Sequence, residues 1–127
     1  MLKGLGHVGI LVRDIEISKR FYEKIGFTVE GTYPRPGDTI IAFIEAGSCV
    51  IELIQPGDRS RMGRPAGIID HLCIDVDDID AEIKNLQALG ILGGDAKAGT
   101  IADMYGGLRN VFFEGPDGER LEYSQKL

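Results

Sequence analysis

From Leu5 to Arg13 apolar and polar positions alternate, with Val8, Ile10 and Val12 on one phase and His7, Gly9, Leu11 and Arg13 on the other. That is the period of a half-buried strand. At Asp14 the spacing becomes helical, since Ile15, Ser18, Phe21, Tyr22 and Ile25 fall along one side. Asp14 is placed as the N-cap and Gly26 as the residue that closes the helix. Phe27 to Tyr33 is β-rich, and Pro34-Arg35-Pro36-Gly37-Asp38 reads as a turn. Thr39–Glu45 and Ser48–Gln55 form a predicted hairpin across Ala46-Gly47. The first half is therefore expected to be β-α-β-β-β.

The pattern then starts again. Shifting the chain by 64 residues lays His7–Phe27 over His71–Ile91 without a gap, so that His7 meets His71, Asp14 meets Asp78 and Gly26 meets Gly90. A repeat of this length implies one supersecondary unit used twice. Ile69–Val76 is the matching strand, Asp77 or Asp78 the cap, and Ile79–Leu89 the helix. Ile91-Leu92 is expected to open a short strand, and Ala96–Gly107 to be a loop with little β character. Arg109–Glu114 and Glu119–Gln125 form a second predicted hairpin around Gly115-Pro116-Asp117-Gly118. Laying Ile41-Ala42-Phe43 over Val111-Phe112-Phe113 puts Glu52 over Glu122, a shift of 70, so about six extra residues are assigned to Ala96–Gly107. We read one domain of two modules, 4–56 and 68–127, joined by a linker at 57–67 rich in Gly and Pro.

Composition narrows the function. With 14 basic and 20 acidic residues the net charge is −6, which disfavours nucleic acid as a partner, since phosphate binding needs a basic surface. Cys49 and Cys73 have no CxxC spacing and read as reduced thiols. The longest apolar run, Ile40–Ile44, is too short to span a bilayer, and no charged-then-apolar leader opens the chain. The expectation is a cytoplasmic protein with a small-molecule substrate and no membrane partner.

Four residues repeat at equivalent strand positions and on the phase opposite the apolar set: His7 with His71, and Glu52 with Glu122. If the two sheets face each other, two imidazoles and two carboxylates can converge on one divalent ion. The donors suit Zn²⁺, Ni²⁺ or Co²⁺, with Mn²⁺ and Fe²⁺ also in range. Cys73, Arg13, Asp75 and Arg120 share the ligand phase. Glu45 is a further candidate base, Arg59, Arg61 and Arg64 a candidate anion clamp, and Met104-Tyr105-Gly106-Gly107 a candidate lid.

The doubled unit, with HVGILVRDI and DHLCIDVDDI followed by VIELIQP and GPDGERLEY, resembles the vicinal oxygen chelate superfamily. The resemblance covers nearly the whole chain. It implies an α+β fold in which two tandem β-α-β-β-β modules form a curved mixed β-sheet cup around a metal site. Carried over position by position, His7, Glu52, His71 and Glu122 are the implied ligands. That set is like the one in glyoxalase I, implying a lyase or isomerase that moves a proton on a metal-chelated substrate through an enediolate. In this picture Glu122 leaves the metal to act as base and Glu52 is the second acid/base. CIDVDDI with IELIQP also resembles methylmalonyl-CoA-type epimerases, and a non-catalytic ligand-binding or resistance protein is the reading from another class. Leu11 and Pro56 stand where glyoxalase I has its glutathione-anchoring arginine and asparagine, which sets the chain apart from glutathione-dependent members. Superfamily members are commonly dimers, so a homodimer is expected.

Overall fold

A computed structural model describes all residues except 2, 3, 6, 63–68, 70 and 103–105. The chain divides into two compact units, Met1–Gly67 and Ile68–Leu127. Each holds a four-stranded mixed sheet and one helix. In the first unit the elements are β1 (Val8–Leu11), α1 (Ile15–Ile25), β2 (Thr28–Arg35), β3 (Thr39–Ala46) and β4 (Cys49–Gln55), with sheet order β1-β4-β3-β2. In the second they are β5 (Leu72–Asp75), α2 (Ile79–Ala88), β6 (Gly99–Ile101), β7 (Leu108–Glu114) and β8 (Arg120–Lys126), in the order β5-β8-β7-β6. In both, the first strand runs parallel to the last and the remaining pairs are antiparallel.

The helices form where the apolar spacing places them. Ile15, Ser18 and Tyr22 bury one side of α1, and Ile79, Ile83 and Leu86 one side of α2. Against them pack Ile44, Ile51 and Leu53 in the first unit and Phe113, Leu121 and Tyr123 in the second. Each fully buried aliphatic or aromatic side chain contributes about 1.5–3 kcal/mol. Asp14 Oδ1 accepts from the backbone N–H of Glu16 and Ile17 at 3.0 and 3.3 Å, and Asp78 Oδ1 from that of Ala81 at 3.1 Å. Gly26 and Gly90, at φ 117° and 74°, reverse the chain where a side chain would be strained.

A feature not anticipated from the sequence ties sheet to helix in both units. The side-chain oxygen of Gln55 accepts from the Ile15 N–H at 2.8 Å, and that of Gln125 from the Ile79 N–H at 3.0 Å. Residues at the ends of β4 and β8, Gln55 the last and Gln125 the last but one, thus satisfy first-turn donors that the helix itself leaves open.

Several boundaries differ from those expected. β2 continues past Tyr33 through Pro34, because it is an edge strand and needs no donor there; the turn shrinks to Pro36–Asp38. Ile91-Leu92 is not a strand, since both N–H groups return to the Leu86 carbonyl at 2.9 and 3.2 Å and close the helix. The strand that was expected there is β6, inside the predicted loop, where it fills the open edge of β7.

The registers also redistribute the extra residues. Phe43 lies opposite Glu52 and Phe112 opposite Glu122, so Phe43 corresponds to Phe112 rather than to Phe113. Tyr33 faces Ile41 as Gly99 faces Asn110. Two extra residues therefore precede β6, three fall in 102–107, and one lies in the hairpin turn, where Pro116-Asp117-Gly118 replaces Gly47-Ser48. No helix among the described residues is long and apolar enough to cross a membrane.

Replacing Gln55 or Gln125 by Ala should each lower stability by about 1 kcal/mol, the usual net worth of one such hydrogen bond. The double variant should lose roughly the sum. Urea unfolding measures both, and unchanged midpoints would show that the amides contribute nothing.

Candidate metal centre

In the first unit His7 immediately precedes β1, and the parallel register sets Gly9 opposite Glu52. Histidine and glutamate therefore share one face of the sheet, away from α1, whose face takes Ile51 and Leu53. His7 Nε2 stands 3.2 Å from Glu52 Oε2, with the imidazole about half exposed and the carboxylate mostly covered. Phe43, cross-strand from Glu52, meets the imidazole edge-on at 5.5 Å between centroids. The second unit builds the same group. Cys73 faces Glu122 across the parallel pair, His71 Nε2 lies 3.0 Å from Glu122 Oε2, and Phe112 packs edge-on to His71 at 5.3 Å.

Two cis ligands, each about 2.0–2.2 Å from a zinc-like ion, lie roughly 3.0–3.4 Å apart. Both N···O separations fall in that interval. The donor chemistry of each pair therefore fits shared ligation of a divalent ion: His7 with Glu52, and His71 with Glu122. Among the described residues no third His, Cys, Asp or Glu completes a cluster around either pair within its unit.

The pairs differ in one respect. Asn110 donates from Nδ2 to Glu122 Oε1 at 2.9 Å, so both oxygens of this glutamate are engaged. Glu122 is 8% exposed as a residue, and such burial demands partners for a carboxylate. The register puts Ile41, which has no donor, at the corresponding place in the first unit. Sequence reasoning missed Asn110, because the assumed shift of 70 matched it to Ile40 instead of Ile41.

Of the other candidates, Cys73 lies beside Glu122, and its thiol is pushed up to about 11, first by burial and then by the Glu122 charge. Arg120 stacks over the Phe112 ring at 4.1 Å, and Asp75 is 3.8 Å from Lys126. Glu45 is exposed and faces Val50 across the β3–β4 ladder. Arg59 is not a free clamp: it donates to the carbonyl of Arg13 at 2.6 Å and to that of Pro56 at 3.4 Å. Those three residues, with Asp14, Asp38 and Gln55, line an open cavity of about 540 Å³ beyond the end of β1 and β4. Arg61 is exposed. Arg64, Met104 and Tyr105 lie outside the described residues.

The family model described as Glyoxalase/Bleomycin resistance protein/Dioxygenase superfamily matches residues 4–123. The chain is 33% identical to the uncharacterised protein YwbC of Bacillus subtilis, over 99% of the chain and 100% of that protein. It is 33% identical to human mitochondrial methylmalonyl-CoA epimerase over 65% of the chain, spanning 52% of the epimerase. Two solved structures share the fold. The trypanothione-dependent glyoxalase I of Leishmania major has a TM-score of 0.72 at 23% identity, covering 98% of this chain and 88% of that one. The fosfomycin resistance protein FosX of Listeria monocytogenes, complexed with Mn(II) and sulfate, has a TM-score of 0.73 at 14% identity, covering 100% and 95%.

Asn110→Leu should cost about 1–3 kcal/mol of stability, because it strips a donor from a buried carboxylate. Ile41→Leu, at the matching position, should cost less than half as much. Equal losses in urea unfolding would show that the Asn110–Glu122 bond carries no special weight.

Proposed function

Because the chain belongs to the glyoxalase/bleomycin resistance protein/dioxygenase superfamily, we propose that its two His–Glu pairs are the protein ligands of one divalent metal in a glyoxalase I-like lyase or isomerase. The observation that carries this reading is the pair built twice, at 3.2 and 3.0 Å, on matched strands and beside matched phenylalanines. A partly exposed histidine–glutamate contact built in duplicate has a chemical use more readily than a stabilising one, since such pairs contribute little to stability. Zn²⁺, Ni²⁺ and Co²⁺ suit the donors best, with Mn²⁺ and Fe²⁺ also accommodated.

The ion, when bound, would draw electron density from a substrate oxygen and make the neighbouring C–H more acidic. The protein's own groups do the rest. Glu122 takes the proton as base, Glu52 serves as the second acid/base, and the two imidazoles hold position. Such proton transfer is worth roughly 10²–10⁴-fold in rate. Leu11 and Pro56 offer neither charge nor amide to a glutathione carrier, so the thiol component of any hemithioacetal substrate is a different one. We place the protein in the cytoplasm as a homodimer; two free cysteines and a net charge of −6 support a soluble protein in a reducing compartment.

A second reading, an acyl-CoA epimerase of the methylmalonyl type, is favoured by the identity to the human enzyme and by the two glutamates. An epimerase needs one carboxylate to remove a proton and another to return it on the opposite side. A ligand-binding protein without turnover is the third reading, and metal content separates it from both enzymes.

Purified protein should hold close to one equivalent of divalent metal per site by elemental analysis. Turnover of a hemithioacetal would identify the lyase, and turnover of a 2-methylmalonyl thioester the epimerase. Glu122→Gln should stay folded, keep most of its metal and lose at least about 10²-fold in rate. Full activity in that variant would defeat the assignment, and a metal-free protein with tight ligand binding would favour the third reading.

A further inference from the structure

Where a chain is built twice, positions that meet the same surroundings in both copies keep their polarity. Beneath the helices they do: Ile51 matches Leu121, Leu53 matches Tyr123, Ala42 matches Val111 and Ile44 matches Phe113, and all eight are buried. On the open face one cross-strand row changes at all three of its positions. In the first unit Leu11 lies opposite Ile54, and Ile54 opposite Ile41. In the second, the matching residues are Asp75, Ser124 and Asn110, opposite one another in the same order. Three aliphatic side chains in one copy are three polar ones in the other.

Each row stands two residues along its strands from the row that holds the glutamate, Gly9–Glu52–Phe43 or Cys73–Glu122–Phe112. The pleat therefore aims it to the same side as the His–Glu pair, roughly 7 Å further along. In the second unit the row acts on the pair directly, through the Asn110 bond to Glu122. In the first unit it offers only hydrocarbon, half-buried and uncharged, with no donor or acceptor for the polar part of a ligand. A ligand with its oxygens at His7 and Glu52 that runs on along β1 toward Leu11 meets Ile54 and Ile41 there.

We propose that this row seats a short alkyl substituent of the substrate and so determines specificity. The substrate class is an oxygenated compound with chelating oxygens at one end and an aliphatic group beside them. This rests on the reading that the two pairs hold a metal, and the experiment separates the two ideas. The Zn²⁺-loaded full-length chain is titrated by calorimetry with aceto-, butyro- and hexanohydroxamate, chelators that differ only in alkyl length. In the unaltered protein each added methylene should tighten binding by about fourfold until the row is covered. Ile54→Ser and Leu11→Asn should each reduce that factor to below twofold while acetohydroxamate affinity changes little. Two variants at different strands keep the test open should one fail to fold.

An affinity independent of chain length, or an unchanged slope in both variants, overturns the proposal and leaves the metal reading standing. No binding of any hydroxamate overturns both. Sedimentation of the same samples covers the remaining occupant: loss of a dimer in Ile54→Ser, with the alkyl slope intact, would assign the row to a second copy of the chain and overturn the proposal.

Discussion

The parallel pairing of each unit's first strand with its last is the constraint on which the remaining features depend. Adjacent strands of a hairpin could not supply it. A parallel pair needs a crossover, and here the helix and two strands of each unit make that crossover and provide the core. The ladder extends past the strands themselves, with the Val12 N–H to the Ile54 carbonyl at 2.8 Å and the Val76 N–H to the Ser124 carbonyl at 2.9 Å. Gln55 and Gln125 then carry it into the first turn of the helix. Strand end and helix start are thereby fixed to one another, and with them the register that sets a glutamate beside a histidine. A slip of one residue would turn Glu52 under the helix and bring Ile51 to the open face. Burying an unpaired carboxylate would make that slip expensive, so the glutamate of the candidate site also enforces its register.

The same logic explains what the sequence disclosed. His7, Glu52, His71 and Glu122 could be read because each interrupts an apolar alternation on a known phase, and the repeat supplied the pairing. The match of Phe43 with Phe112 could not. Val111-Phe112-Phe113 offers two adjacent aromatics, and hydrophobicity favours the wrong one, since the true match sets Ile41 over Asn110. Only the observed hydrogen-bond register, with its one-residue longer hairpin turn, decides between them. β6 escaped notice because an edge strand of three residues, begun by a glycine, owes its existence to the exposed edge of β7 more than to its own propensity. Gln55 and Gln125 were hidden because a polar residue at a strand end looks like solvent-facing surface; their shared position in the repeat was the signal that could have found them.

The two copies have diverged unevenly, and the direction follows from packing. Positions under α1 and α2 answer to close-packed neighbours, where a change of volume or polarity costs several kcal/mol. Positions on the open face are mostly only half-buried, Glu122 and Ser124 excepted, and carry less of that constraint. The outcome is two glutamates with the same histidine partner and unequal surroundings. Glu122 is gripped through both oxygens by His71 and Asn110, whereas Ile41 leaves Glu52 without that second donor. A hydrogen-bond donor fixed on a carboxylate restrains its rotation. The grip therefore acts against the very movement that a carboxylate base requires, and it acts on one glutamate of the two. If Glu122 is the base proposed above, it moves only if Asn110 moves with it or lets go, whereas Glu52, the proposed second acid/base, has one fewer hydrogen bond to break.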